Sequence, residues 1–552
     1  MTTIAVCKIP ASAGFGAWAR TQSGRWDMKF RLLTTAGALA TGLVLSLSMP
    51  GQSWAGPDTN VLNVGIAAPD AGRLDPHLSA TTIDKAVFGW MFNGLVRFKP
   101  GTASPDTIEP DLATSWSSSP DGLQWTFNLR KGVQCHHDYG ELTSADIVYS
   151  FARAADPKRS SFSSDFAVFE KVEAVDPYTV KLTLKNPVPS LLGLVTNYHG
   201  GNIVCKKAAE EMGENFQKRP IGTGPFMFGE YQPQQYLKLV ANPKYFRGKP
   251  KLDGILYRYI PSDSARDLAF QSGELDMLYG KQDQTWVERM KKVKGTVVHV
   301  MEPAEMSVMS LNMSTKPLDD IRVRKAIAMA VNREEFMDFK GRDVTRIAKS
   351  VVPQGYQGYA DMSALMPKYD VEGAKKLLAE AGHPNGITLK AIHTSLPGML
   401  GTMEVFQNQL ARAGIKLDLE VVEHATFHAQ IRKDLSQVVH YSAARFPVAD
   451  TYLTQFFHSR STVNTPTAVT NFSHCNAADK EIDEARVEQD GAKQKALWKT
   501  AQEKIMKAFC AIPIYENLQI WATKDYVDLG YKLIGSLSLG PPVTEQTHFK
   551  KM

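Results

Sequence analysis

Residues 387–421 read ITLKAIHTSLPGMLGTMEVFQNQLARAGIKLDLEV, and their pattern decides the fold class. ITLKAI (387–392) alternates apolar and polar residues as a strand does. Residues 402–413 carry Met403, Phe406, Leu410 and Ala413 at helical spacing, Gly414 stops that helix, and IKLDLEV (415–421) alternates again. Upstream, Asp370 is placed to cap a helix whose Val371, Ala374, Leu377, Leu378 and Ala381 share one face and which stops at Gly382, with Pro384 beyond. Downstream, Leu497, Ala501, Ile505 and Ala508 mark an amphipathic helix before the strand-like residues 512–515. Near the front, VLNVGIA (61–67) and WTFNL (125–129) read as strands, and Thr143 with Asp146 opens a helix carrying Ile147, Phe151 and Ala154 on its apolar side. Strands alternating with helices throughout predict an α/β architecture.

Ahead of this body, Lys29 and Arg31 lead into an apolar run, LLTTAGALATGLVLSLSM (32–49), then Pro50-Gly51 and Ser53-Trp54-Ala55 before Gly56. A charged start, an apolar middle and small residues at a break are the layout of a cleaved export signal, so residues 1–55 are expected to be removed and the body to be soluble in the periplasm. The run of eighteen residues approaches a membrane span, but Thr, Ser and Gly dilute it and a cleavage-like site follows. Cys7 precedes the run instead of following it, which argues against a lipid anchor. Met28 is a second candidate start.

Of the 63 Lys/Arg and 57 Asp/Glu, five and one lie in residues 1–55, leaving 58 against 56. A body so nearly neutral gives no electrostatic case for nucleic acid or an anionic membrane surface. Its 497 residues exceed one ordinary core, so two lobes are expected. Cys135, Cys205, Cys475 and Cys510 are widely spaced without a C-x-x-C; one or two disulfides are possible and their connectivity is open.

Six segments, in order, resemble one family. They are EPDLATSWSSSPDGLQWTFNLRKGVQCHHDYGELTSADIVYSF (109–151), RPIGTGPFMFGEY (219–231), LVANPKYFRGKPKLDGI (239–255), SGELDML (272–278), PLDDIRVRKAIAMAVNREEF (317–336) and YDVEGAKKLLAEAGHPNG (369–386). Together they are similar to the extracytoplasmic solute-binding proteins of ABC importers, family 5, the dipeptide-, oligopeptide- and nickel-binding class. The resemblance implies a two-lobed, type II (Venus-flytrap) periplasmic-binding-protein fold with the ligand cleft between the lobes. It places crossing strands near residues 301–306 and 511–515, with residues 56–306 plus 511–552 as the first lobe and 307–510 as the second. The implied function is capture of a peptide or peptide-like solute for an inner-membrane ABC permease, by a monomer with no cofactor, no metal and no catalysis.

By the same resemblance the cleft is lined by Asp70 and Ala71 after the first strand, by the Gly222-Thr223-Gly224 turn, by Met309 to Asn312, by Tyr441 to Pro447 with Arg445 and Phe446 among them, and by Tyr515. For Met309 and Tyr515, core packing is the competing role. The stretch Tyr441-Ser442-Ala443-Ala444-Arg445-Phe446-Pro447 matches the place where peptide-binding members supply an acid for the peptide's amine. Here it holds no acid, its one charge is Arg445, and the nearest carboxylate in sequence is Asp450. That departure favours a ligand presenting a carboxylate or phosphate, unless Arg445 merely pairs with Asp450 or another neighbouring acid.

Other chemistries find little support. There is no phosphate-loop, nucleophile-elbow or dinucleotide motif, so an exported hydrolase is the weaker reading. His424 and His428 fall one helical turn apart but lack the adjoining Glu of a zinc protease, and the adjacent Cys135, His136 and His137 diverge in direction. Capture of a metal chelate such as a nickel complex remains the alternative within the binding class.

Overall fold

The computed structural model describes residues 59–79, 82–188, 190–464, 470–538 and 540–550. The apolar run at 32–49 and the cleavage-like site lie outside them. Strands Ile387–Thr394 and Ile415–Val422 pair in parallel, Ile387 opposite Ile415. A parallel pair needs a crossover, which the helix Pro397–Arg412 supplies with Met403, Phe406 and Leu410 fully buried. The helix begins six residues before Met403, the first residue of the apolar repeat, because Pro397 fixes φ at its first position and lacks the N–H that would go unbonded there.

The remaining signals map closely. Asp370 accepts the Gly373 N–H at 2.8 Å and opens the helix Val371–Glu380. Thr143 donates its backbone N–H to Asp146 Oδ2 at 2.8 Å, half of a reciprocal cap on the helix Ser144–Ala155. The helix Gly491–Ala508 buries Trp498, Ala501, Ile505 and Met506, a face rotated slightly from the one expected because Trp498 fills more of the core than Leu497.

Among the described residues the largest sheet has eleven strands. Ten of them run in the order Ile415–Val422, Ile387–Thr394, Val438–Ala443, Thr296–Leu311, Ala511–Lys524, Met277–Tyr279, Val61–Ile66, Gly254–Tyr259, Tyr236–Ala241, Phe226–Gln232, and the eleventh, Thr345–Ile347, pairs with Ala511–Lys524 off that path. The middle of this path is the long antiparallel pair Thr296–Leu311 and Ala511–Lys524, joined from Thr296 opposite Lys524 to Ser310 opposite Ala511 with two shifts of register on the way. Strands of 16 and 14 residues greatly exceed the common length of about five or six. Each is long because it serves two cores. Met301 packs with residues from Leu62 onward and with Trp521, whereas Met306 and Met309 pack with residues up to Cys510 and Tyr515. The register shifts between Met301 and Glu305, where one core gives way to the other.

A separate antiparallel sheet, Ala113–Ser118, Gln124–Leu129, Thr179–Leu184 and Phe169–Asp176, closes the first core. One disulfide staples each side: Cys135–Cys205 joins the first core, and Cys475–Cys510 ties a loop to the residue just before the strand Ala511–Lys524.

Candidate functional site

The residues expected in the cleft do not all meet. Asp70 accepts from Tyr231 Oη at 2.6 Å and from the Gln234 N–H at 3.1 Å, so it pins the loop after the first strand, with Ala71, to a hairpin. The Gly222-Thr223-Gly224 turn is buried. Gly224 donates to the Met91 carbonyl at 2.9 Å, Thr223 donates to Asn93 Oδ1 at 3.0 Å, and a Cβ on Gly222 would stand 2.2 Å from the Met91 oxygen. The close approach that glycine allows is to another backbone segment. Met309 is fully buried, Asn312 donates to Asp434 at 2.9 Å, and Tyr515 shares a hydrogen bond with Thr402 at 2.8 Å beneath Phe336. Met309 and Tyr515 thus belong to one buried cluster, and Asn312 is tied to Asp434 at the end of its strand.

Arg445 and Phe446 behave differently, because they reach the first core, whereas Tyr441 packs in the second against His428, Phe456 and Phe472. The Phe446 ring sits 5.7 Å from that of Phe98 and occupies the space over Gly193, where a Cβ would fall 2.0 Å from its Cζ. Gln455 links the two sides as well, accepting from Arg445 Nε at 2.7 Å and donating to Asp165 at 3.4 Å. The pairing of Arg445 with Asp450 is not found. Asp450 is bound by Arg486 at 3.2 Å, and Arg445 instead lies over the Phe456 ring at 5.1 Å and donates Nη1 to the Ala444 carbonyl at 3.0 Å.

Sequence reading missed the groups that gather around Arg445. Lys85, on the helix Thr82–Met91, lies over the Tyr198 ring at 5.2 Å and donates to its hydroxyl at 3.3 Å. Tyr198 is held by stacking on His199 at 3.7 Å, and His199 stacks in turn on Phe162 at 4.2 Å. His199 adopts a left-handed backbone (φ 52°), a conformation that costs a non-glycine residue energy and is kept here by the stack. Glu305 extends from the long strand and Asp165 from the short helix Ser163–Phe166.

Lys85, Arg445, Glu305 and Asp165 are all half-buried, and among the described residues none forms an ion pair within 4.0 Å. Their electrostatics follow. Burial pushes the Lys85 ammonium down to about 7, with Arg445 adding to the effect and Glu305 opposing it. Burial raises the Glu305 and Asp165 carboxyls against the pull of the neighbouring cations. Burial, then Lys85 and Arg445, keep His199 neutral, well below its ordinary value. Buried charges left apart in this way are costly unless something else completes them. The cluster can therefore bind a charged solute between the two cores.

The histidines singled out in the sequence have other partners. His136 and His137 bond the carbonyls of Gly224 at 3.0 Å and Phe228 at 2.9 Å, and Cys135 is in a disulfide. His424 and His428 face each other at 3.3 Å, with the second Nδ1 lacking a partner.

The contact at Gly193 gives a direct test of closure. Gly193→Ala is expected to weaken ligand binding about tenfold, because a methyl group displaces the Phe446 ring and overpacking costs about 1–3 kcal/mol. Calorimetry should show the loss while the melting temperature of the ligand-free protein holds, and Phe446→Leu on top of it should restore affinity. Unaltered affinity in Gly193→Ala would mean that this contact is no part of the bound state.

Two α/β lobes on a shared pair of strands, enclosing uncompensated charge, define a solute-binding clamp. Residues 107–464 match the family described as bacterial extracellular solute-binding proteins, family 5, and the chain belongs to it, with the role of substrate-binding component of an ABC importer. It is 28% identical over 498 residues to di/tripeptide-binding protein 2 of Pseudomonas aeruginosa, covering 85% of this chain and 91% of that one. Among solved structures it resembles MoaA of A. tumefaciens R10 in complex with mannopinic acid, with 48% identity, a TM-score of 0.83, and 89% and 99% of the two chains covered. It also resembles the periplasmic binding protein DppA of Helicobacter pylori in complex with the peptide STSA, at 27% identity and TM-score 0.77 over 89% and 98%. Family and neighbours are binding proteins. No helix among the described residues is long and apolar enough to cross a membrane.

Proposed function

We propose that this chain captures a small solute carrying an acid group and hands it to an ABC permease. The observation that carries the reading is the pair of uncompensated cations, Lys85 and Arg445, at the junction of the two cores. A guanidinium bonded to Gln455, Ala444 and Tyr441 still has two of its five N–H donors for a carboxylate, and Lys85 adds a second charge across the junction. The similarity to a protein solved with mannopinic acid points the same way, and an acid-bearing peptide satisfies the same two groups. The proposal includes a cleaved segment at 1–55 and a monomeric mature protein in the periplasm without a lipid anchor. It divides that protein into lobes of 56–306 with 511–552 and of 307–510, and it assigns no catalytic step.

The test is calorimetry with mannopinic acid and with the dipeptide alanyl-glutamate between pH 6 and 9. Only the charged form of Lys85 attracts the acid, and that form is half depleted at about pH 7 in the empty protein. Binding therefore takes up a proton, and affinity is expected to fall by up to tenfold per unit as pH rises above 7. Lys85→Met should flatten this dependence. A pH-independent affinity in the native protein removes Lys85 from the site, and failure of every acid to bind removes the reading.

A further inference from the structure

Three carboxylates lie on the paired strands where the cores meet, and they are treated differently. Glu302 and Glu516 both receive Arg346, each at 2.6 Å. Glu305 receives no cation within 4.0 Å among the described residues, although it stands opposite Asn517 on the same pair of strands. Met306 pairs with Ala443, which brings Glu305 alongside Ala444 and Arg445, and Lys85 and Arg445 both favour its charged form; neither comes within 4.0 Å of it, and Gln519 is a side-chain hydrogen-bond partner. The scaffold thus leaves one half-buried carboxylate without an ion-pair partner beside the two cations that would hold an acidic solute.

A solute bringing only carboxylates would set like charge against Glu305, at a cost in a site shielded from water. A solute with a protonated amine near its acid group meets both polarities at once. We propose that Glu305 accepts the protonated amine of the same solute whose acid group Lys85 and Arg445 hold, so that the ligand class is an amino acid derivative or short peptide and not a simple acid. This rests on the acid-capture reading. It also answers the missing acid in residues 441–447: the acid is supplied by the strand joining the lobes, 140 positions from Arg445.

The test compares native protein, Glu305→Gln and Arg445→Ala against mannopinic acid and alanyl-glutamate, each with its amine free and acetylated. Native protein should prefer the free amine by about 30-fold or more, the scale of breaking a buried charged contact. Glu305→Gln should erase that preference while keeping the acetylated form's affinity, and Arg445→Ala should weaken both forms alike. If the amine form matters equally in Glu305→Gln and native protein, or not at all in either, the inference is overturned while acid capture stands. If no probe binds native protein, both fall. The melting temperature of ligand-free Glu305→Gln should hold or rise, since an uncompensated buried charge is removed.

Discussion

Arg445→Ala is expected to weaken binding of the acidic solute by about 30-fold to a few thousandfold, the range for removing one partner of a buried charged contact. The size follows from preorganisation. The guanidinium is already fixed by the Gln455 side chain at 2.7 Å, by the Ala444 carbonyl at 3.0 Å and by the Phe456 ring, so little ordering is left to be done when the ligand arrives. Lysine should not rescue it, because a single ammonium cannot hold Gln455 and Ala444 and still present a planar pair of donors. Ligand-free stability should change little, since no carboxylate within 4.0 Å depends on this cation among the described residues. Calorimetry with mannopinic acid together with a melting curve checks both halves. Native affinity in the variant would return Arg445 to a role in the scaffold.

The second large effect concerns the disulfides. Removing Cys135–Cys205 as Cys135→Ala with Cys205→Ala is expected to cost about 4 kcal/mol, from the chain entropy of a loop of 70 residues. Both sulfurs are buried in the first core, so the alanines also leave space. The loss of Cys475–Cys510, which closes 35 residues, should cost slightly less by the same model. Thermal unfolding with and without reductant measures the effect. A melting temperature unchanged by the double substitution would mean that the unfolded chain gains no freedom from losing the bridge.

Local physics was legible throughout. Asp370, Thr143 with Asp146, and the alternation in 387–392 and 415–421 specify their elements because each signal is complete within a few residues. Glycines were legible as places of close approach but not for what approaches: Gly222 and Gly224 meet Met91, and Gly193, which no sequence signal marked, meets Phe446.

Arg445 stood out by sequence because its neighbours carry no acid, whereas Lys85, Tyr198, Asp165 and Glu305 gave no such sign. Each belongs to a different segment and becomes meaningful only beside the others. What the chain's order of residues determined alone was the α/β elements, their caps, the near-neutral body and the family likeness. What only the tertiary structure decided was which charges go unpaired, because a charge is compensated or not by its neighbours in space. Here those neighbours come from segments more than 300 residues apart, from Lys85 to Arg445, brought together by two long strands that run through both cores.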